Sequence, residues 1–281
     1  MRLTLTSPDK LVSGSFSRVP SGTADTLVVC IHGGGCNGRY FELKSNSTVD
    51  AALARGFDVL VLDRPGYGGN QAPPTASPIS DTAPRIRDFI EQVRAAHAPH
   101  SGGIGIIGHS IGGAIAVTMA AQRGEWPLRA MAISGIGDVS PPTIRNLRHP
   151  SGVTHIPPPQ ELTDGLFFDP DRQLKWKPVA SLRAAAEPWL VTEVVEVVER
   201  WPADWRRMAE RVDIPVHLRL AEHERIWETG EDVVERMASA LAAAPVVDSA
   251  LLPRGGHLYE ATAEGPKFVQ SQLDFLEKHS S

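Results

Sequence analysis

At 281 residues, with 42% hydrophobic and 22% charged side chains, the chain can bury a core without metal or disulfide staples, which excludes collagen-like, small disulfide-rich and wholly disordered classes. Its 28 Lys and Arg against 33 Asp and Glu give a net charge of −5, and no basic run exceeds a pair such as Arg206-Arg207. Nucleic acid and anionic membrane surfaces are therefore not expected partners.

Arg2–Thr6 and Leu11–Ser17 alternate apolar and polar residues and predict short strands joined by a turn at Ser7-Pro8-Asp9. This opening never builds the apolar core of a secretory signal, and no run approaches the roughly 18 apolar residues of a membrane span. Thr26–Ile31, Phe57–Leu62, Ile104–Gly108 and Leu128–Ser134 predict buried strands, with helical spacing between them at Val49–Arg55, Thr82–Ala98 and Gly112–Arg123. Such alternation marks an α/β protein with a mostly parallel sheet covered by helices on both faces. Cys30 and Cys36 are the only two cysteines; they flank a Gly-rich turn and are expected as free thiols in a reducing, cytoplasmic setting.

From Gly135 to about Val212 the pattern changes. Prolines accumulate, Pro157-Pro158-Pro159 among them, together with four of the six tryptophans (Trp176, Trp189, Trp201 and Trp205). Residues 136–212 read as an inserted lid, leaving 1–135 and 213–281 as the core domain. The best helix of the insert is Pro188–Trp201, where Leu190, Val194, Val197, Val198 and Trp201 share one face. Alternation then resumes with a strand at Pro215–Ala221, a helix at Glu231–Ala243, a strand at Val246–Leu252 and a final helix at Ala261–Lys278.

Gly108-His109-Ser110-Ile111-Gly112-Gly113 carries the strongest chemical signal. It is a G-x-S-x-G between an apolar strand and an Ala-rich helix, where a sharp turn needs flanking residues without Cβ to lift the serine hydroxyl above the sheet edge. His32-Gly33-Gly34-Gly35 follows the strand TLVVCI and lets backbone N–H groups approach a developing oxyanion. Gly34 is the first choice as donor, ahead of Gly33 and Gly35, with the N–H of Ile111 as its partner. His32 reads as structural, and His109 as a supporting neighbour of the serine.

In strand–turn–helix serine sites the base follows the nucleophile along the chain. Among ten histidines, His257 stands out, in a loop after the last predicted strand and behind Gly255-Gly256. His97, His100 and His279 sit at polar helix ends, and His149 and His155 belong to the insert. The acid that orients the base is expected at Glu224, in a loop 33 residues before His257, with Asp138 and Glu222 as alternatives. Gly33, Gly35, His109 and Tyr259 are candidate pocket residues.

In order and spacing, His32–Gly35, Asp63-Arg64-Pro65-Gly66-Tyr67-Gly68, Gly108–Gly113, Ala221-Glu222-His223-Glu224 and Gly255-Gly256-His257 resemble the motifs of the α/β-hydrolase superfamily over nearly the whole chain outside the insert. The resemblance implies an eight-stranded, mostly parallel sheet with a helical lid after the sixth strand. It also implies a serine hydrolase whose acid, usually Asp after the seventh strand, is here replaced by Glu224. Serine at the nucleophile position sets aside the dehalogenases and epoxide hydrolases of this fold, which use Asp there. An ester or lactone of a largely apolar small molecule of more than a few carbons is the expected substrate. Carbon–carbon bond hydrolysis, haloperoxidation, acyl transfer and ligand binding without catalysis are the alternatives. No cofactor or metal is expected, since no H-E-x-x-H or Cys/His cluster occurs. The chain is expected to be a monomer or homodimer.

Overall fold

The structure is a computed structural model that describes every residue except 1, 21–23, 45, 123, 147–151, 158–178 and 281. His149, Trp176, Pro158, Pro159 and the expected helix end at Arg123 lie outside the described residues.

Eight strands form one sheet: β1 (Arg2–Thr6), β2 (Ser13–Ser17), β3 (Thr26–Ile31), β4 (Asp58–Asp63), β5 (Gly103–His109), β6 (Leu128–Ser134), β7 (Val216–Ala221) and β8 (Val247–Leu252). Their order is β1-β2-β4-β3-β5-β6-β7-β8, with β2 antiparallel to both neighbours and every other pair parallel. Val29 of β3 stands between Leu60 of β4 and Ile106 of β5. Strands β3 and β5 are buried along their whole length, which is why they read as unbroken apolar runs rather than alternating ones.

Helices α1 (Thr48–Ala54) and α9 (Gly265–His279) cover one face of the sheet. The other face carries α2 (Pro78–His97), α3 (Ile111–Ala121) and α8 (Glu231–Ala240). Helix α3 is buried at every position, so its sequence is apolar all round instead of amphipathic. Between β6 and β7 the described helices are α4 (Pro142–Arg145), α5 (Val179–Ala185), α6 (Val191–Glu199) and α7 (Trp201–Ala209). Helix α6 packs on α2, and α7 packs on α3.

The helices expected at Glu231–Ala243 and Ala261–Lys278 run from Glu231 to Ala240 and from Gly265 to His279, and two others differ in extent for identifiable reasons. Pro188–Trp201 is not one helix: Trp189–Leu190 is a short strand paired with His155–Ile156, α6 ends at Glu199, and α7 begins at Trp201. Pro202, in the first turn of α7, has no N–H to continue the α6 ladder, and its ring would meet the carbonyl four residues back. Helix α2 starts at Pro78 rather than Thr82, before the internal Pro84. Its first turn is secured by Glu196 of α6, whose carboxylate accepts the N–H groups of Ile79 (2.7 Å) and Ser80 (3.2 Å) and the Ser80 hydroxyl (3.0 Å).

The segments leaving β3, β4, β5, β6, β7 and β8 hold the Gly-rich run, the Asp63–Gly68 turn, Ser110, Asp138, Glu224 and His257 in that sequence. All leave the carboxyl ends of their strands, the edge at which open α/β sheets bind ligands.

Candidate active site

Ser110 occupies the turn between β5 and α3 with φ +52° and ψ −122°, a region that costs a residue bearing Cβ on the order of 1–3 kcal/mol. Its N–H donates to Ser134 O of β6 at 2.7 Å, which pins the turn to the neighbouring strand. The glycine two residues on has a packing reason. A Cβ at Gly112 would lie 2.0 Å from the Ile31 carbonyl oxygen, so only glycine lets α3 start against the end of β3.

His257 is buried, and its Nδ1 lies 2.8 Å from Glu224 Oε2. The other carboxylate oxygen, Oε1, accepts the backbone N–H groups of Arg225 and Ile226, both at 2.9 Å, so Glu224 is fixed in orientation. The two alternative acids are engaged elsewhere. Asp138 takes a two-point contact from Arg236, with Nε at 2.9 Å and Nη2 at 2.7 Å, while Glu222 accepts the N–H of Arg254 at 2.7 Å. Among the described residues, Glu224 is the one of these three carboxylates bonded to His257.

Gly34 and Ile111 meet beside the serine: a Cβ at Gly34 would lie 2.9 Å from Ile111 Cδ1. Ile111 is the first residue of α3, so its N–H has no partner within the helix. Among the described residues, neither this N–H nor that of Gly34 donates to a protein acceptor. His32 behind them is fully buried. Its Nδ1–H donates to Gly33 O (2.8 Å) and its Nε2 accepts from Arg64 N (3.2 Å), and burial together with the nearby guanidinium holds its pKa well below the ordinary range. It is a neutral imidazole with both ring nitrogens engaged by backbone. Cys30 and Cys36 are both free thiols; burial pushes the Cys36 thiol up to about 12.

A cavity of about 70 Å³ opens at Ser110 and is lined there by Gly34, Ile111 and His257. Among the described residues the rest of its wall is apolar: Ile144, Trp189, Val194, Val197, Val198, Ile226 and Trp227. Of the four candidate pocket residues, none is on this wall. Gly33 lies beneath Ser110, and Gly35 is covered by the Trp189 indole. Tyr259 donates its hydroxyl to Pro253 O at 3.1 Å and packs edge-on against Phe268, bracing the His257 loop from behind. His109 stacks on Tyr40 with ring centres 4.8 Å apart and abuts the His257 ring at 4.9 Å.

The His109 position leads to a group that sequence reasoning missed. Glu260 is buried, accepts the Tyr40 hydroxyl (2.7 Å) and the Ser134 hydroxyl (3.0 Å), and lies 3.5 Å from His109 Nδ1. Burial alone would raise its pKa, but the neighbouring His109 imidazole and the hydrogen bonds outweigh it and hold the carboxyl down at about 2. Its position three residues after His257 was the available signal, but nothing in the spacing distinguishes it from a solvated acid. The wall residues Ile144, Ile226 and Trp227 left no signal beyond being apolar.

The sequence pattern of the alpha/beta hydrolase family matches residues 28–266, and the chain belongs to that family. Monoglyceride lipase from Mus musculus is 32% identical over 129 residues, which is 45% of this chain and 38% of that protein, so the match spans well under half of the curated relative. Among solved structures, bromoperoxidase from Bacillus anthracis superposes with a TM-score of 0.73 at 19% identity, covering 99% of this chain and 100% of that one. A carboxyl esterase from Bacillus coagulans, solved with glycerol, gives 0.72 at 17% identity over 99% and 98%. These two share the fold. Among the described residues no helix is long and apolar enough to cross a membrane, and no three His, Cys, Asp or Glu side chains converge as metal ligands.

Proposed function

We propose that the protein is a serine hydrolase that cleaves a carboxylic ester or lactone of a largely apolar small molecule through an acyl-enzyme. The observation that carries this reading is the strained Ser110 turn opening on an apolar cavity beside His257, whose Nδ1 is 2.8 Å from Glu224. His257 takes the proton of the Ser110 hydroxyl as the oxygen attacks the acyl carbonyl. The N–H groups of Gly34 and Ile111 hold the oxyanion, and His257 returns the proton to the leaving alcohol. Water then repeats the sequence against the acyl-serine. Glu224 keeps the Nδ1 proton in place and stabilises the imidazolium.

Residues 136–212 serve as the lid in this reading. Trp189, Val194, Val197 and Val198 form its wall over the serine and exclude water from the acyl group. The small, apolar volume favours a short, uncharged acyl group over a long or ionised one. The test is hydrolysis of p-nitrophenyl esters from acetate to decanoate by the wild type and Ser110→Ala. Turnover that peaks among the short chains and disappears in the variant supports the reading, and turnover that survives Ser110→Ala removes it.

A further inference from the structure

Three consecutive glycines give the oxyanion loop little rotational preference of its own. The Gly33–Gly34 peptide is nonetheless held by one end. Gly33 O accepts from Arg64 Nη2 (2.9 Å), from His32 Nδ1 (2.8 Å) and from the Cys36 thiol (3.4 Å). A trans peptide is planar, with its C=O and N–H pointing in opposite directions. Anchoring Gly33 O therefore aims the Gly34 N–H away from Arg64.

Arg64 also donates through Nε to His32 O at 2.8 Å, and both of its Nη atoms meet the carboxylate of Glu193, with Nη2 to Oε2 at 3.3 Å. Both side chains are almost completely buried, at 1% and 2% exposed, so the guanidinium has no solvent to neutralise it. Glu193 belongs to α6, far along the chain from the loop. Its Oε2 also accepts the Tyr67 hydroxyl at 2.8 Å, and that hydroxyl in turn accepts the N–H groups of Gly35 (3.4 Å) and Leu190 (3.2 Å). The loop is thus held on both sides of Gly34, at Gly33 O through Arg64 and at Gly35 N through Tyr67. Both holds end on one carboxylate. Backbone pairing reinforces them, with Asn37 N donating to Ala185 O and Glu187 N donating to Gly35 O.

We propose that Glu193, acting through Arg64 and Tyr67, is a positioning residue that fixes the oxyanion donor at Gly34 and makes the segment between β6 and β7 a working part of the catalytic geometry. This rests on the reading of Gly34 as an oxyanion donor. Glu193→Gln keeps the size of the side chain but removes the charge that holds Arg64, and Tyr67→Phe removes only the hydroxyl. The measurements are kcat per active serine, with serines counted by exhaustive fluorophosphonate labelling, KM for p-nitrophenyl butyrate, affinity for a trifluoromethyl ketone that forms a tetrahedral adduct, and the thermal midpoint.

Displacement of one donor is expected to lower kcat about 10- to 100-fold in Glu193→Gln and several-fold in Tyr67→Phe, with KM within about twofold of wild type. Affinity for the ketone should fall by the same factor as kcat/KM, because the adduct uses the oxyanion donors as the transition state does. Wild-type kcat per labelled serine and wild-type ketone affinity in both variants overturn the proposal, and so does a loss confined to the active fraction or the thermal midpoint. Should Glu193→Gln fail to fold, Tyr67→Phe decides by the same readouts. The two readings fail separately. A wild type without Ser110-dependent ester turnover and without ketone binding removes the proposed function and this device with it, whereas Ser110-dependent turnover indifferent to both variants removes the device alone.

Discussion

Replacing Glu224 by Gln exchanges one oxygen for an NH₂ group, and the structure dictates which one. Oε1 is pinned by two backbone N–H donors at 2.9 Å, so the amide oxygen keeps that place and the NH₂ takes the Oε2 position, 2.8 Å from His257 Nδ1. An NH₂ donates and cannot accept. His257 must then present a bare Nδ1 and carry its proton on Nε2, the nitrogen that takes the proton of Ser110 in the proposed mechanism. The same tautomer reversal in a Ser-His-Asp triad lowers kcat by about 10⁴, which is about 5 kcal/mol of transition-state stabilisation at 1.36 kcal/mol per tenfold. We expect Glu224→Gln to lose turnover on p-nitrophenyl butyrate by that order while its circular dichroism and thermal midpoint stay close to wild type. Asp138→Asn is the control, since it disturbs a pair with the half-exposed Arg236 and should leave kcat within about threefold. More than a tenth of wild-type turnover in Glu224→Gln, or an equal loss in Asp138→Asn, refutes the assignment of the acid.

Gly112→Ala places a Cβ 2.0 Å from one backbone oxygen and 2.7 Å from another, neither of which can yield alone, so soluble expression or the thermal midpoint should collapse. A midpoint within a few degrees of wild type contradicts the packing argument. Val194→Phe enlarges a wall residue of the cavity and should move the ester preference toward acetate while leaving acetate turnover near wild type; an unchanged chain-length profile would place the acyl group elsewhere. Glu260 has its carboxyl held down at about 2 from an ordinary 4.5, so it stabilises the fold above pH 4.5 and that contribution is lost as pH falls from 4.5 to about 2. At 1.36 kcal/mol per pH unit this amounts to about 3 kcal/mol. Glu260→Gln should therefore lower the thermal midpoint at pH 7 and flatten its decline in acid, and parallel profiles for the two proteins would refute this.

The central strands were legible because β3, β5 and β6 are buried nearly throughout, and a strand with two covered faces leaves an apolar run bounded by turns. The serine turn was legible for a steric reason: the approach of α3 to Ile31 O excludes a Cβ at Gly112, and that requirement is written into the motif. His257 and Glu224 could be placed because each follows a predicted strand at the same sheet edge. What stayed hidden depends on contacts between distant parts of the chain. Periodicity made Leu190 a helical residue, but its N–H is taken by the Tyr67 hydroxyl and its neighbour Trp189 pairs with Ile156. Glu193 and Glu196 are not among the residues of the expected apolar face, yet both are buried, one against Arg64 and the other at the start of α2. Tyr259, beside the expected base, turns its hydroxyl back to Pro253 because the loop folds over it.

In the proposed mechanism Ser110 carries the acyl group during turnover. The most direct measurement is intact-protein and peptide mass spectrometry after millisecond mixing with p-nitrophenyl butyrate and acid quench. A butyryl adduct is expected on the peptide containing Ser110, decaying on the timescale of turnover and absent from Ser110→Ala. Ester turnover with no adduct on that peptide, or with the adduct on another residue, would contradict it.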